Sequence, residues 1–294
     1  MRKSYREVRE RLRYVGTERD DYDLTRFPDF LIIGPQRTGT TWLAQGLKRH
    51  PQIFIPWQKE IHYFNNLEYP EYHPKSLPPV DKDLGWYTDM FRVPEAYRVK
   101  RDAECRRELS RPYSPVAFGD ITATYAAALH EGIIAEILVL NPDIKVVALV
   151  RDPVERAWSH AKKDLSTERK RSVSDVPDAE WFEFFRREYQ INCGHYTTFL
   201  PRWQKFVPEQ NMLIARFRDL EDNPRKLITR VHRLLGVDVD DAFIGPEIET
   251  RNPGLALGLQ PAPTERGDIP PHLHTELEQL FDEETAKLRK QGLV

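Results

Sequence analysis

Short apolar runs alternate along the chain with stretches whose apolar residues recur every three or four positions. Runs of this kind predict buried strands, and the longer period predicts amphipathic helices between them. Alternating strands and helices favour an α/β fold of three layers, with a central parallel sheet of about four or five strands and helices on both faces. The predicted strands lie at residues 30–33, 50–56, 118–125, 145–150 and 211–217.

The first predicted strand runs directly into a loop with glycines at positions 34 and 39, and a helix-compatible stretch follows through Leu47 and His50. This order of strand, phosphate-binding loop and helix is typical of a P-loop-like motif. Gly39 lets the backbone approach an anion, and the first amides of the helix point at that anion. Arg37 adds a cation, and three hydroxyl groups can donate hydrogen bonds: those of Thr38, Thr40 and Thr41.

Other interpretations of this loop stay open. A nucleotide-triphosphate loop would place a lysine where this chain has Thr40. A P-loop nucleotide kinase is therefore an alternative that lacks its phosphate-gripping residue. The turn could also bind nothing and serve only to connect strand and helix.

Composition sets outer limits on the function. With 294 residues, 40% hydrophobic and 31% charged, the chain can form one large domain, and a net charge of −2 argues against non-specific nucleic-acid binding. We expect an N-terminal charged arm over 1–27, either docked or partly disordered, and a single domain over 28–294. Cys105 and Cys193 are interpreted as free thiols, and no segment has the length and apolarity of a signal peptide or a membrane span, so a cytoplasmic location is expected.

A second candidate anion site follows the strand at 145–150. Arg151 stands at the carboxyl end of that strand, where open α/β sheets bind ligands. Pro153 suits the first turn of the next helix, and Ser159 lies about two helical turns further on. Its position at the end of the strand makes Arg151 a candidate ligand-binding residue.

The segment Pro35-Gln-Arg-Thr-Gly-Thr-Thr-Trp42 resembles the phosphosulfate loop of the sulfotransferases that use 3'-phosphoadenosine 5'-phosphosulfate (PAPS), and the Arg151 to Ser159 segment resembles their 3'-phosphate site. The resemblance covers roughly residues 28 to 240. It implies PAPS as donor, adenosine 3',5'-bisphosphate (PAP) as product and no metal. The donor-binding residues that it implies are Arg37, Thr38, Gly39, Thr40, Thr41, Trp42, Arg151, Ser159, Tyr196 near the adenosine, and Arg266 with Gly267, for which Arg251 is an alternative.

Within that family, Lys59-Glu-Ile-His-Tyr-Phe64 is similar to the glycan enzymes related to heparan sulfate modification. The resemblance implies that Glu60 is the general base and that His62 supports it on the acceptor side. Ile121 stands where those enzymes commonly have a lysine, which leaves Arg37 to stabilise the transferred group. Asp120 is a second catalytic candidate, or else a strand-end cap.

The sequence therefore predicts a soluble, bacterial-type sulfotransferase. Its acceptor is expected to offer a hydroxyl, or less often an amine, on a small molecule, a carbohydrate or a natural product. Besides the kinase, a nucleotide-binding module without catalysis remains an alternative. Residues 164–178 are polar and are expected to form an exposed loop, which could lie on the acceptor side.

Overall fold

A five-stranded parallel sheet forms the centre of the computed structural model, which describes residues 4–15, 22–68, 82–245, 248 and 269–294. The strands lie in the order β2-β3-β1-β4-β5, and every neighbouring pair is parallel. The predicted fold class and number of strands are confirmed. The strands are β1 Phe30–Gly34, β2 Ile53–Phe54, β3 Ala117–Ile121, β4 Lys145–Val150 and β5 Met212–Arg216.

The first strand, β1, lies in the middle of the sheet: β3 and β2 lie on one side of it, and β4 and β5 on the other. Leu31 pairs with Asp120 of β3 on one side and with Val146 of β4 on the other. The strand order therefore reverses next to β1. In open parallel sheets, this reversal opens a crevice at the carboxyl ends of the strands, where ligands bind.

Helices cover both faces of the sheet, because consecutive residues of the central strands β1 and β4 are buried and so both faces need cover. Their bounds are α1 Tyr5–Val8, α2 Thr40–Lys48, α3 Tyr63–Glu68, α4 Leu84–Asp89, α5 Glu95–Leu109, α6 Tyr125–Ala128, α7 Glu131–Leu140, α8 Pro153–Ala161, α9 Asp178–Phe185, α10 Glu188–Gly194, α11 Tyr196–Gln204, α12 Phe217–Asp222, α13 Pro224–Leu235 and α14 Pro271–Lys290. Ile32 and Val147 pack with α2 and α13. Leu31 and Val146 pack on the opposite face with α7 and α11.

The N-terminal residues 4–15 are docked on the domain. Tyr5 and Val8 of α1 are buried in the same cluster as α7. The carboxylate of Glu136 in α7 accepts hydrogen bonds from the backbone amides of residues 13–15, including that of Val15 at 2.8 Å. This part of the arm is therefore held by buried apolar contacts and by a buried carboxylate.

A third apolar cluster joins α8, α9 and the C-terminal helix α14. The sequence predicted that last helix from about residue 272 to 291, and the structure places it at Pro271–Lys290. The predicted loop over 164–178 is wrong in part, because α8 continues into a π-helical turn, Lys162–Thr167. Both cysteines are buried, free thiols, as predicted.

Candidate active site

The phosphate loop joins β1 to α2 at the carboxyl edge of the sheet. Gly39 has a φ of +94°, a left-handed conformation that glycine adopts without strain, and it directly precedes α2. A Cβ atom at this position would meet Leu220 Cδ1 at 2.5 Å. No side chain caps the start of α2, so the amides of its first turn are left to an anion.

The threonines of the loop have different surroundings. Thr38 is fully buried, and its hydroxyl donates to the carbonyl of Pro35 at 2.6 Å, so this side chain holds the loop closed. Thr40 is buried as well, whereas Thr41 is exposed. The indole of Trp42 packs in the core between α2 and the sheet. Any contact of Thr38 or Trp42 with a donor would therefore come from the backbone.

Arg37 sits in the middle of this loop with a positive φ of +71°. Its Nε donates to the hydroxyl of Ser159 in α8 at 3.0 Å, which joins the two anion sites predicted from the sequence. Burial lowers the pKa of Arg37, and the nearby charge of Arg151 lowers it further. Two close guanidinium groups repel one another, so an anion between them would be stabilised.

Arg151 is held in place from three sides. Its Nη1 donates to the carbonyl of Arg37 at 3.0 Å, and its guanidinium lies 4.3 Å from the ring centre of Phe217. Its backbone amide donates to the hydroxyl of Tyr196 at 3.2 Å. Tyr196 is fully buried, so in this structure its side chain supports Arg151 from below.

Helix α10 supports the loop in a way that the sequence did not predict. The hydroxyl of Tyr189 donates to Gln36 Oε1, and the thiol of Cys193 approaches the same oxygen at 3.7 Å. Gln36 directly precedes Arg37, so these contacts fix the turn that carries the cation. No local pattern could indicate them, because α10 is more than 150 residues away from the loop along the chain.

Glu60 lies beside the carboxyl end of β3, in an unusual backbone conformation. It has a φ of +65° and His62 a φ of +58°, values that cost non-glycine residues energy and that cluster at functional sites. The amide of Glu60 donates to the carbonyl of Ile121 at 2.9 Å, and that of Ile61 donates to the hydroxyl of Thr122 at 3.0 Å. The end of β3 therefore holds this segment in position.

The carboxylate of Glu60 has two partners. Lys59 Nζ lies 2.7 Å from Oε1, and His62 Nε2 lies 3.4 Å from Oε2. Burial raises the pKa of Glu60, but the hydrogen bond from His62 and the charge of Lys59 outweigh it and lower the pKa to about 2. Glu60 is therefore ionised at neutral pH.

His62 is itself oriented by neighbouring side chains. Its Nδ1 lies 3.0 Å from the hydroxyl of Thr124 and 3.2 Å from Asn65 Oδ1. The hydroxyl of Thr124 donates to Asn65 Oδ1 at 3.0 Å, so Thr124, Asn65 and the His62 ring form one polar network. His62 is buried, so it contacts Glu60 from beneath the crevice.

Asp120 is placed differently from Glu60. It is completely buried, and its carboxylate accepts hydrogen bonds from the hydroxyls of Thr122 at 2.7 Å, Tyr87 at 2.9 Å and Tyr125 at 3.0 Å. Burial raises its pKa, although these three hydroxyl groups oppose that effect. A carboxylate enclosed in this way argues against direct contact with an acceptor, and Thr122 links it to the Glu60 segment.

Three of the predicted donor residues lie outside the described part of the chain: Arg251, Arg266 and Gly267. Ile121, at the position of the expected lysine, is buried at the end of β3. Lys59 is instead the cation beside Glu60, and its place next to that residue in the sequence was the available signal. Within the described ranges, no group of three His, Cys, Asp or Glu side chains could hold a metal, and no helix could cross a bilayer.

Solved structures with this fold include a sulfotransferase from Alicyclobacillus acidocaldarius, with a TM-score of 0.54 and 21% identity over 90% of this chain and 95% of that one. The mouse sulfotransferase SULT7A1 in complex with PAP has a TM-score of 0.51 and 14% identity, covering 90% of this chain and 88% of that one. At these identities, the comparison supports the shared fold.

Sequence comparison finds related enzymes. The human bifunctional heparan sulfate N-deacetylase/N-sulfotransferase 2 is 28% identical over 232 residues, which are 72% of this chain and 22% of that protein. The corresponding mouse enzyme 3 is also 28% identical, again over 72% of this chain and 22% of the relative. This chain thus spans about a fifth of the length of these relatives.

A model of the sulfotransferase domain matches residues 27–250, most of the chain, and does not favour the kinase alternative. The predicted family is confirmed: the chain belongs to the sulfotransferase family, whose sulfuryl donor is PAPS.

Proposed function

We propose that this sulfotransferase transfers the sulfuryl group of PAPS to a hydroxyl of a small-molecule, carbohydrate or natural-product acceptor, with Glu60 as the general base. The observation that carries the proposal is the convergence of two predicted anion sites on one crevice. Arg37 reaches Ser159, and Arg151 reaches the backbone of Arg37, each at 3.0 Å. Glu60 is ionised, and its backbone amide is bound to the end of β3, the strand next to β1.

The residues present fit the donor. The amides that open α2, together with Arg37 and the exposed Thr41, would hold the 5'-phosphosulfate. Arg151 and Ser159 would hold the 3'-phosphate. The bound donor supplies an activated sulfuryl group and leaves as PAP. Arg37 is placed to stabilise negative charge in the crevice through a guanidinium that is already oriented by Ser159.

On the acceptor side, Glu60 would take the proton from the acceptor hydroxyl at one of its carboxylate oxygens. His62 and Lys59 hold the carboxylate ionised and oriented before the acceptor enters. Asp120 is proposed as a positioning residue, because it acts through Thr122 on the backbone that carries Glu60. In this scheme each carboxylate has a distinct task.

An amine acceptor is the second candidate. It is favoured by the relatives at 28% identity, which are named N-sulfotransferases of heparan sulfate. The net charge of −2 weighs against a highly anionic glycan, although a few cations near the crevice would offset it. Hydroxyl and amine acceptors would both deliver their proton to Glu60.

Two further parts of the proposal concern the whole chain. We divide it into a charged arm over 1–27 and a single sulfotransferase domain over 28–294. The buried free thiols of Cys105 and Cys193 support a reducing, cytoplasmic compartment.

An acceptor screen with radiolabelled PAPS tests the proposed function. The panel holds phenols, aliphatic alcohols, sugars and matched amines, and each labelled product is identified by mass spectrometry. We expect transfer to a hydroxyl compound with release of PAP, and transfer at least about 100-fold slower with Glu60→Gln. Label found only on amines would show that the acceptor group is an amine and not a hydroxyl. Tight PAP binding without transfer to any compound would favour a module without catalysis.

A further inference from the structure

Trp57 is exposed to an extent that sets it apart from the other tryptophans. Its exposed fraction is 86%, the largest among the exposed large apolar side chains of the described residues. Four of the six tryptophans are buried and Trp86 is half-buried. Burying an aromatic side chain is favourable, so an exposed indole forgoes stabilisation that binding could recover.

The position of Trp57 connects it to the proposed active site. It lies three residues after β2 and three residues before Glu60. Three residues span at most roughly 10 Å, so the backbone at Trp57 stays close to the proposed general base. Strand β2 is parallel to β3, and Glu60 is bound to the carboxyl end of β3. Trp57 therefore lies at the carboxyl ends of the strands, as the phosphate loop does.

The chain on either side of Trp57 is fixed. Ile55 and Pro56 are buried before it, and Ile61 is buried after it. The Ile61 amide is bound to Thr122, at 3.0 Å. The indole is thus presented to solvent by a short segment that is anchored at both ends, which reduces the entropy lost when a ligand stacks on it.

Charges beside Trp57 add a polar border. Lys59, two residues on, contacts Glu60 at 2.7 Å. Burial lowers the pKa of Lys48, and the charge of Lys59 lowers it further, so a second ammonium group lies nearby. A flat apolar surface next to a carboxylate and two cations suits a molecule that carries both a ring and polar groups.

We propose that Trp57 is the acceptor platform of this enzyme: the face of a ring in the acceptor stacks on the indole, and this directs a hydroxyl of the acceptor toward Glu60. The ring is either aromatic or a sugar, whose C–H face offers the same apolar surface. The proposal rests on the function proposed above and narrows its acceptors to ring compounds.

Iodide quenching of tryptophan fluorescence tests this platform directly, because Trp57 is the tryptophan most accessible to iodide. The protein is saturated with PAP and titrated with phenyl β-D-glucopyranoside, methyl β-D-glucopyranoside or open-chain sorbitol at equal concentrations and constant ionic strength. We expect a glucoside to shield Trp57 and sorbitol not to. Shielding by both glucosides assigns a sugar ring, and shielding by the phenyl glucoside alone assigns an aromatic ring. The Trp57→Phe protein, which lacks the exposed indole, should lose most of the quenching.

A binding measurement by saturation-transfer NMR gives the size of the effect. Trp57→Ala is expected to weaken binding of the shielding glucoside about tenfold, while Trp57→Phe restores most of it. Affinity for PAP should not change in either variant. Val116→Ala is the matched control. Val116 is 59% exposed but directly precedes β3, so it lies at the amino ends of the strands.

Three results would overturn the platform. The first is equal shielding by sorbitol and the glucosides, and the second is no shielding by any of the three compounds. The third comes from a parallel titration with phosphatidylglycerol vesicles: shielding by the vesicles alone would assign a membrane surface instead. The proposed function is measured separately, by PAP binding and sulfuryl transfer. A protein that transfers sulfuryl groups but shows none of the expected shielding would therefore disprove the platform alone.

Discussion

The proposed donor side and the proposed acceptor side of the active site are built in different ways. On the donor side, Arg37, Arg151 and Ser159 come from three separate elements and hold one another through hydrogen bonds of 3.0 Å. On the acceptor side, Trp57, Lys59, Glu60 and His62 belong to one continuous segment. That segment is fixed from below by the end of β3 and by Thr122 and Thr124.

This difference suggests that the donor side serves mainly to bind the nucleotide and that the acceptor side serves mainly to activate the acceptor. The donor side assembles cations and helix amides, which suits recognition of a group with several negative charges. The acceptor side sets the protonation and direction of a single carboxylate. Substitution of Arg151 should therefore change nucleotide affinity, whereas substitution of Arg37 should change turnover more than affinity. Substitutions on the acceptor side should change turnover and leave nucleotide affinity as it is.

The largest effect is expected on the acceptor side, from Glu60→Gln. The amide keeps the size of the side chain but cannot take a proton, so turnover should fall about 100- to 10,000-fold. The PAP dissociation constant from calorimetry should stay at the wild-type value. Glu95→Gln, a change at an exposed carboxylate on α5, is the control and should be fully active. Near-normal turnover of the Glu60 variant would remove Glu60 from the role of base.

Arg37→Ala tests whether a donor-side residue also takes part in the chemistry. Loss of a single electrostatic stabiliser typically costs ~100-fold or more in rate, so turnover at saturating donor should fall on that scale and by more than PAP affinity. Arg37→Lys retains the charge without the Nε contact to Ser159 and should recover part of the rate. If the alanine variant binds PAPS poorly but turns over normally at saturation, Arg37 has a binding role only.

Asp120→Asn tests whether the buried carboxylate positions the acceptor side. The change leaves three hydroxyl donors facing an amide and should cost about 1–3 kcal/mol of folding stability. Thermal unfolding should show a decrease in Tm of roughly 2–4 °C per kcal/mol for a domain of this size. At a temperature where the variant is folded, PAP affinity should be unchanged and turnover only moderately reduced. A folded variant as inactive as Glu60→Gln would make Asp120 the base.

The smallest effect is expected from Lys59→Gln, and it should appear in the pH profile. The charge of Lys59 favours the ionised form of Glu60, whose pKa is about 2. Removing that charge raises the pKa, so the acidic limb of kcat/KM should move to higher pH. Lys59→Arg should keep the wild-type profile. An unchanged acidic limb in Lys59→Gln would mean that Lys59 does not tune Glu60.

The strands and helices that carry the proposed donor side could be predicted from the sequence because each has a local pattern. The loop around Gly39 follows a strand and precedes a helix, and Arg151 follows another strand. Parallel strands bring both positions to the same edge, as the structure shows. The support from Tyr189 and Phe217 could not be predicted, because contacts between distant elements leave no local periodicity.

The acceptor side was less accessible to prediction. The sequence offered two carboxylates, Glu60 and Asp120, and only burial distinguishes them: Asp120 is completely enclosed by hydroxyl donors. The positive φ values of Glu60 and His62 depend on the end of β3, which is 60 residues away. The π-helical turn after α8 was likewise missed, since its polar sequence is typical of an exposed loop.

Calorimetry with two nucleotides and the Arg151→Ala protein tests the central claim most directly. The claim is that the donor side recognises the 3'-phosphate of PAPS through Arg151. PAP carries that phosphate and AMP lacks it, so the substitution should weaken PAP binding about 10- to 100-fold, the loss of a hydrogen bond to a charged group, and leave AMP binding unchanged. Equal weakening of PAP and AMP, or wild-type affinity for PAP, would contradict the account.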